Sequence, residues 1–319
     1  MYYLAMDGGG TKLVGLLFDD QYRPLATARA DGTHLSVYPV EEVRAHVTAC
    51  YEHLFADMPR PLHIERLYTI CGDSRLYADL LPEGITLGEI CNITEAVSAL
   101  YAGAGRRNGF VALSGTGSDV FCIQNGKCED VIGGWGAILG DEGSGVWMAR
   151  HAMQKAIRAE QGWGTPTRFG KVLMEHYGFT RLWDFVAYVY DTPSPFRRLG
   201  EILPLVAKAA GDGDEAMLDI FRAAGRILAE QMAAMLRRYP HEEPCITACG
   251  GAWKAHPAMA EAFTEAITAE FPAATFTLPR FEHIMAGPVC LAMEEGKDFP
   301  AVLDFLSDRF PELVWNHHG

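Results

Sequence analysis

The chain has 319 residues, 49% of them hydrophobic, enough for two packed domains of ordinary size and not the composition of a disordered chain. Lys and Arg number 27 against 41 Asp and Glu, a net charge of −14 with no basic stripe, which excludes nucleic acid as an expected partner. No apolar run approaches the roughly 18 residues of a membrane span, Met1–Met6 is too short for the apolar region of a signal peptide, and the eight cysteines form no CxxC pair, so a cytoplasmic protein with reduced thiols and no membrane partner is expected.

Residues 2–6 read as a buried strand, Asp7-Gly-Gly-Gly-Thr-Lys12 as a turn, Leu13–Phe18 as a returning strand and Leu25–Ala30 as a third. Apolar Val43, Val47, Cys50, Tyr51 and Leu54 recur at helical spacing within 40–56. A strand at Leu67–Cys71, a short helix from Asp73 and a strand near Thr86–Cys91 follow. Thr94 then caps a helix to about Ala104, which puts Glu95 in its first turn just beyond the end of a strand.

The next stretch repeats the opening. Phe110–Leu113 is an apolar strand, Ser114-Gly-Thr-Gly-Ser118 a small-residue turn and Asp119–Gln124 the returning strand; aligning Gly8 with Gly115 places Gly10 on Gly117 and Thr11 on Ser118. After the glycine-rich loop Gly133–Gly145 the pattern turns helical over 144–161, 167–177, 181–190, 196–210 and 214–239. A strand at Cys245–Ala248, the turn Cys249–Trp253, a helix from Pro257, a strand near Thr275–Leu278 and closing helices complete an α/β chain.

The chemistry is concentrated in the glycine clusters. No Gly-Lys pair is followed by Ser or Thr, and GxGxxG, GxSxG and HExxH are absent, which removes several common signatures. In Asp7–Lys12, the backbone N–H groups of Gly9 and Gly10 can converge on an anion, with a hydroxyl from Thr11 and a charge from Lys12. Asp7 at the strand end can hold a hydrated Mg²⁺ against the same phosphates. Gly115, Thr116, Gly117 and Ser118 make a second hairpin of the same build. Each hairpin alone can also be a plain turn; the pair together suggests a grip on a nucleotide tail.

Gly134 and Gly136 flank Trp135, whose flat face suits a sugar ring, while Asp141 can accept from vicinal hydroxyls and Glu142 and Ser144 favour the start of the next helix. Trp135 reads alternatively as a core anchor. Glu95 is a candidate base, although an acidic first turn is also what the helix dipole favours. The bare backbone at Gly250-Gly251 can take an adenine or a ribose. His34 and His283 show no metal-ligand grouping.

Asp7–Lys12, Leu113–Ser118, the run from Gly133-Gly-Trp-Gly to Gly-Asp-Glu-Gly-Ser144 and Cys249-Gly-Gly-Ala-Trp-Lys254 together resemble the N-acetylglucosamine kinase branch of the BadF/BadG/BcrA/BcrD-type ATPases, within the actin-like and sugar-kinase superfamily. The resemblance runs from residue 2 to the helix after Ala286-Gly-Pro288. It implies two ribonuclease-H-like domains with a nucleotide cleft between them, residues 1–116 with about 296–319 in one and 117–295 in the other. It implies ATP and Mg²⁺ as cofactors, with Thr11, Thr116 and Ser118 at the phosphates, Ala210, Gly250, Gly251 and Lys254 around the adenosine, and Gly134, Trp135, Gly136 and Asp141 at the sugar. The family's general base, an Asp ahead of a helix, reads here as Glu95, one methylene longer. The family Asn that touches the amino sugar reads as His34. The expected activity is therefore ATP-dependent phosphorylation of a small-molecule sugar, N-acetylglucosamine or a related amino sugar. The alternatives are a sugar or nucleotide sensor without efficient transfer and an ATPase that activates a partner enzyme. Assembly as a homodimer is left open.

Overall fold

The computed structural model describes residues 1–10, 12–35, 38–192, 195–296 and 301–314. The chain divides into two compact units, one of Met1–Arg107, Asn125–Lys127 and Pro279–Gly319, the other of Asn108–Gln124 and Cys128–Leu278.

The first unit opens with β1 (Tyr2–Gly8), β2 (Lys12–Asp19), β3 (Pro24–Asp31), α1 (Val40–Leu54), β4 (Leu62–Ile70), α2 (Ser74–Asp79), β5 (Ile85–Ile93) and α3 (Glu95–Ala104). Its sheet has the order β3-β2-β1-β4-β5, antiparallel through β3, β2 and β1 and parallel through β1, β4 and β5. A hairpin joins the antiparallel strands directly, whereas the parallel ones need helical crossovers. β1 is central and carries a continuous buried run, Tyr3–Met6, as expected of a strand covered on both faces. α1 lays Val43, Val47, Cys50, Tyr51 and Leu54 on one face, the stripe its spacing predicts.

The second unit repeats that plan around β6 (Gly109–Ser114), β7 (Ser118–Gln124) and β8 (Lys127–Gly133). A helical insertion follows: α4 (Gly136–Leu139), α5 (Gly145–Glu160), α6 (Phe169–Tyr177), α7 (Phe185–Tyr190), α8 (Pro195–Gly200), α9 (Leu203–Gly211) and α10 (Glu215–Arg238). β9 (Cys245–Cys249), α11 (Pro257–Glu270) and β10 (Thr275–Thr277) finish the unit. The sheet order is β10-β9-β6-β7-β8, with β6 antiparallel to β7 and parallel to β9. Position for position this is the order of the first sheet, so the repeated hairpins in the sequence head two ribonuclease-H-like sheets. The chain then returns to the first unit with α12 (Ala286–Glu294) and α13 (Ala301–Arg309). Because β6 is bonded to β7 and β9, the chain leaves the first unit before Asn108, not at 116/117, and it comes back at Pro279, not near 296.

Several elements differ from the sequence reading, among them α4, a short helix inside the stretch read as the loop Gly133–Gly145. β8 was not anticipated, although Asn125 and Gly126, with φ of 52° and 72°, form the left-handed pair that a two-residue hairpin requires. The single helix expected over 196–210 is two, because Pro204 in the first turn of α9 can start a helix but not continue one. Among the described residues no helix is long and apolar enough to cross a membrane.

The core of the second unit is gathered on α10, whose buried stripe runs from Ala216 to Leu236. Gly225 lets α11 cross at close range: a Cβ there would stand 2.2 Å from the Met259 carbonyl oxygen, a backbone atom that cannot step aside. Gly225→Ala is therefore expected to force the helices apart and lower stability by about 1–3 kcal/mol, read as a reduced urea midpoint.

Candidate active site

In the first unit the candidate residues gather at the carboxyl end of β1. Asp7 lies there between Val14 of β2 and Ile70 of β4. The turn after it is closed by Gly9 N–H donating to the Lys12 carbonyl at 2.9 Å, and Thr33 N–H donates to the Gly9 carbonyl at 2.9 Å. Behind the turn the Tyr77 hydroxyl is bonded to Thr33 Oγ1 at 3.0 Å. It is packed so tightly on the backbone that a Cβ on Gly8 would stand 1.9 Å from it and one on Gly72 2.2 Å. Bulk at Gly8 would displace the turn itself. Thr11 lies outside the described residues. His34 follows Thr33 and is exposed.

Glu95 opens α3 directly after β5, where Thr94 caps the helix by accepting from Val97 N–H at 3.4 Å. Its side chain is reachable by solvent, yet the protein packed around it lifts its carboxyl above the ordinary range by desolvation. Burial raises Asp7 further, to about 7; the Lys12 charge opposes this, and Glu95 and Glu282 add to it. Lys12 Nζ pairs with Glu282 at 3.4 Å, and Arg29 holds the other oxygen of that carboxylate at 2.9 Å. Burial would raise Glu282, but Lys12 and Arg29 outweigh it and keep this carboxylate ionised. Beside it His283 is pushed down to about 4 by burial, with Lys12 acting in the same sense, so its imidazole is neutral.

In the second unit the loop Gly133–Gly145 is laid onto the second hairpin. Gly134 N–H donates to the Ser118 carbonyl at 3.0 Å and Gly145 N–H to that of Gly115 at 2.8 Å. The hydroxyls of Ser114 and Ser118 donate to Gly143 and Glu142 carbonyls, both at 2.8 Å. Ser118 therefore spends its hydroxyl inside the protein, whereas Thr116 stands exposed at the tip. Asp141 is buried, accepts from Gly136 N–H at 3.1 Å, and lies where a Cβ on Gly117 would come within 2.9 Å of its Oδ2. It closes the loop on itself beside the tip of the hairpin. Trp135 is 73% exposed, so it is not a core anchor, and Ile138 and Leu139 beside it are 77% and 78% exposed. Ser144 caps α5, as its position in the sequence suggests, by accepting from Trp147 N–H at 3.1 Å.

The turn after β9 crosses the base of the same hairpin. Gly250, at φ 96°, would place a Cβ 2.3 Å from the Ser114 carbonyl oxygen, while Gly251 and Lys254 face solvent. Trp253 locks the turn by donating from Nε1 to the Ala112 carbonyl at 2.9 Å. Ala210 packs its methyl group into the core on α9. A separate apolar cavity of about 690 Å³ lies among α5, α7 and α8; Arg150 on its wall also donates to the Ala137 carbonyl.

The sequence reading missed Thr33, Tyr77 and Gly72, which support the first turn, and Arg29 and Glu282, which hold Lys12. Gly72-Asp73, a glycine before a helix cap at the end of a parallel strand, is the one local sign that was available. The pairing of Glu282 with residues some 250 positions earlier had none.

A family model described as the BadF/BadG/BcrA/BcrD ATPase family matches residues 4–284. The chain belongs to that family. It is 23% identical over 261 residues to the N-acetylmuramic acid/N-acetylglucosamine kinase of Clostridium acetobutylicum, covering 78% of this chain and 85% of that one. It is 26% identical over 234 residues to the N-acetyl-D-glucosamine kinase of Dictyostelium discoideum, covering 67% and 72%. A solved structure from Chromobacterium violaceum, assigned provisionally as an N-acetylglucosamine kinase, superposes with a TM-score of 0.66 at 22% identity, over 91% of this chain and 98% of that one. At that identity the superposition speaks for the shared fold.

Because the folded state raises Asp7, its contribution to stability is present below the ordinary 3.8 and is lost as the pH climbs through about 7. Asp7→Asn in the nucleotide-free protein should therefore be more stable than the parent at pH 8, by about 1–3 kcal/mol, with a smaller gain at pH 5; thermal melts at the two pH values read the difference.

Proposed function

We propose that this protein transfers the γ-phosphoryl group of ATP to a hydroxyl of N-acetylglucosamine or a related amino sugar, with Glu95 as the general base. The observation that carries the reading is the placement of a desolvated carboxylate at the start of α3, in the same unit as the Asp7–Lys12 turn. The names of the relatives support the substrate class. In this reading Glu95 orients the accepting hydroxyl and takes its proton as the bond to phosphorus forms. Lys12 and the N–H group of Gly10 face the phosphates, as do those of Thr116 and Gly117, while the Gly9 and Gly115 N–H groups shape the two turns by donating within them. Gly134, Trp135, Gly136 and Asp141 bind the sugar, with His34 reading one of its substituents. Gly250, Gly251 and Lys254 take the adenosine, and Ala210 supports that region from the core.

A divalent cation such as Mg²⁺ fits the end of β1, because Asp7 is an oxygen ligand whose negative charge is destabilised by burial and by two neighbouring carboxylates, which a cation would relieve. Asp7 would hold it, directly or through water, and the ion would supply charge neutralisation at the phosphates.

ADP release measured over N-acetylated, free-amino and neutral hexoses should single out an amino sugar; sugar-dependent thermal stabilisation without ADP release would instead favour a sensor. Glu95→Gln should lower kcat by roughly 10²–10⁴ with ATP affinity retained, and full activity in that variant would remove Glu95 from the role. In the parent, kcat/KM should fall on the acid side at a pH above the 4.5 of an ordinary glutamate, because the base is raised and must be ionised to act.

A further inference from the structure

The Tyr77 hydroxyl ends where three segments of the first unit meet. α2 carries it there, started by Asp73, which accepts from Arg75 N–H at 2.9 Å and Leu76 N–H at 3.3 Å. The Tyr51 hydroxyl on α1 donates to the Tyr77 carbonyl at 2.8 Å and secures the helix. The Tyr77 side chain is fully buried. Its hydroxyl lies against the ends of β1 and β4, at Gly8 and Gly72, and is bonded to Thr33 in the segment after β3. To admit it, the chain carries no side chain at Gly8 or Gly72 and takes left-handed backbone at Cys71 and Gly72, with φ of 56° and 81°. A left-handed Cys persists only where its surroundings impose that conformation.

Anchoring of α2 does not call for this arrangement, because Tyr51 already supplies it. The hydroxyl is directed instead at Thr33, whose N–H donates to the Gly9 carbonyl at 2.9 Å. That carbonyl shares a peptide plane with the Gly10 N–H, and in a trans peptide the two point in opposite directions. Holding the Gly9 oxygen on Thr33 therefore aims the Gly10 N–H away from Thr33. With glycine on both sides, the plane can turn over at little steric cost unless something holds it. Gly32 lies against the same plane, where a Cβ would stand 2.7 Å from the Gly9 and Gly10 carbonyl oxygens.

We propose that Tyr77 is a positioning residue for phosphoryl transfer: through Thr33 it locks the Gly9–Gly10 peptide, so that the Gly10 N–H stays aimed at the transferring phosphoryl group. The proposal rests on the kinase reading given above; the lock itself does not. A donor fixed in advance stabilises charge as it develops on the phosphoryl oxygens, whereas ATP in the ground state is held as well through its base and ribose. The lock therefore acts on the transition state more than on nucleotide binding.

Tyr77→Phe removes the hydroxyl and keeps the ring; Thr33→Val removes the partner hydroxyl and keeps the Thr33 N–H. Each should lower kcat for sugar-dependent ADP release roughly tenfold or more, while ATP affinity, read by calorimetry, moves by less than about threefold. Because both act through one bond, the double variant should lose no more than either single one. Thr33→Ser, which keeps the hydroxyl, should recover most of the loss. Without any ligand, the Gly9 and Thr33 amides should exchange with solvent faster in Tyr77→Phe than in the parent, with exchange along α1 unchanged.

A parent-like kcat in Tyr77→Phe, or losses that multiply in the double variant, overturns the proposal. So does a fall in kcat matched by an equal fall in ATP affinity, the mark of a merely structural role. If Tyr77→Phe melts below the assay temperature, Thr33→Val and Thr33→Ser decide between the same outcomes. A parent with no sugar-dependent ADP release removes the kinase reading and the purpose assigned to the lock. The lock is then judged by exchange alone, and equal exchange at Gly9 and Thr33 in parent and variant overturns it.

Discussion

At the carboxyl ends of both sheets the backbone lies closer to its neighbours than a Cβ atom permits. In the first unit the Tyr77 hydroxyl occupies the space that side chains on Gly8 and Gly72 would need; in the second, Gly250 lies against the Ser114 carbonyl. Everything else at these ends follows from that closeness. Clamping from behind fixes the shape of each hairpin, and donors fixed in advance are the kind that stabilise a developing negative charge at no cost of reorganisation. The glycines thus serve packing first, and chemistry through packing.

The two units divide the electrostatic work. The first holds the groups that titrate: Asp7 and Glu95 lifted by burial, Glu282 kept ionised by Lys12 and Arg29, and His283 neutral. The second offers neutral donors, an Asp141 already bound to Gly136 N–H within its loop, and three exposed apolar side chains on that loop. On the function proposed above, proton transfer falls to the first set, phosphate contacts come from both, and sugar contacts come from the second. In kinetic terms, changes in the first should register mainly in kcat and changes in the second mainly in KM.

Much of this was legible in the sequence because its causes are local. A turn of three glycines, a small-residue hairpin that repeats it, a Thr before a helix and apolar residues at helical spacing each act within a few positions, and the sheets carry them where expected. Trp135 was ambiguous because burial of an aromatic depends on what packs over it. β8 was passed over although Asn125-Gly126 marked its hairpin, since Lys127–Gly133 is a polar strand with little alternation. Supports such as Tyr77 behind Gly8, or Glu282 beside Lys12, arise from strand order and the return of the chain, and no spacing rule encodes them. The same holds for Ser118, whose hydroxyl is spent on Glu142 by a loop that folds back over it.

The first unit is finished by the last part of the chain. Gly287 of α12 sits against Ala5 and Tyr68, and Phe281 N–H donates to the Ala102 carbonyl. On the ribosome, therefore, the sheet made first waits for its cover until the whole second unit has been synthesised. At the roughly 5–20 residues per second of translation, the face carrying Ala5 and Tyr68 stays open for about ten seconds or more. In that interval its apolar surface is open to other chains.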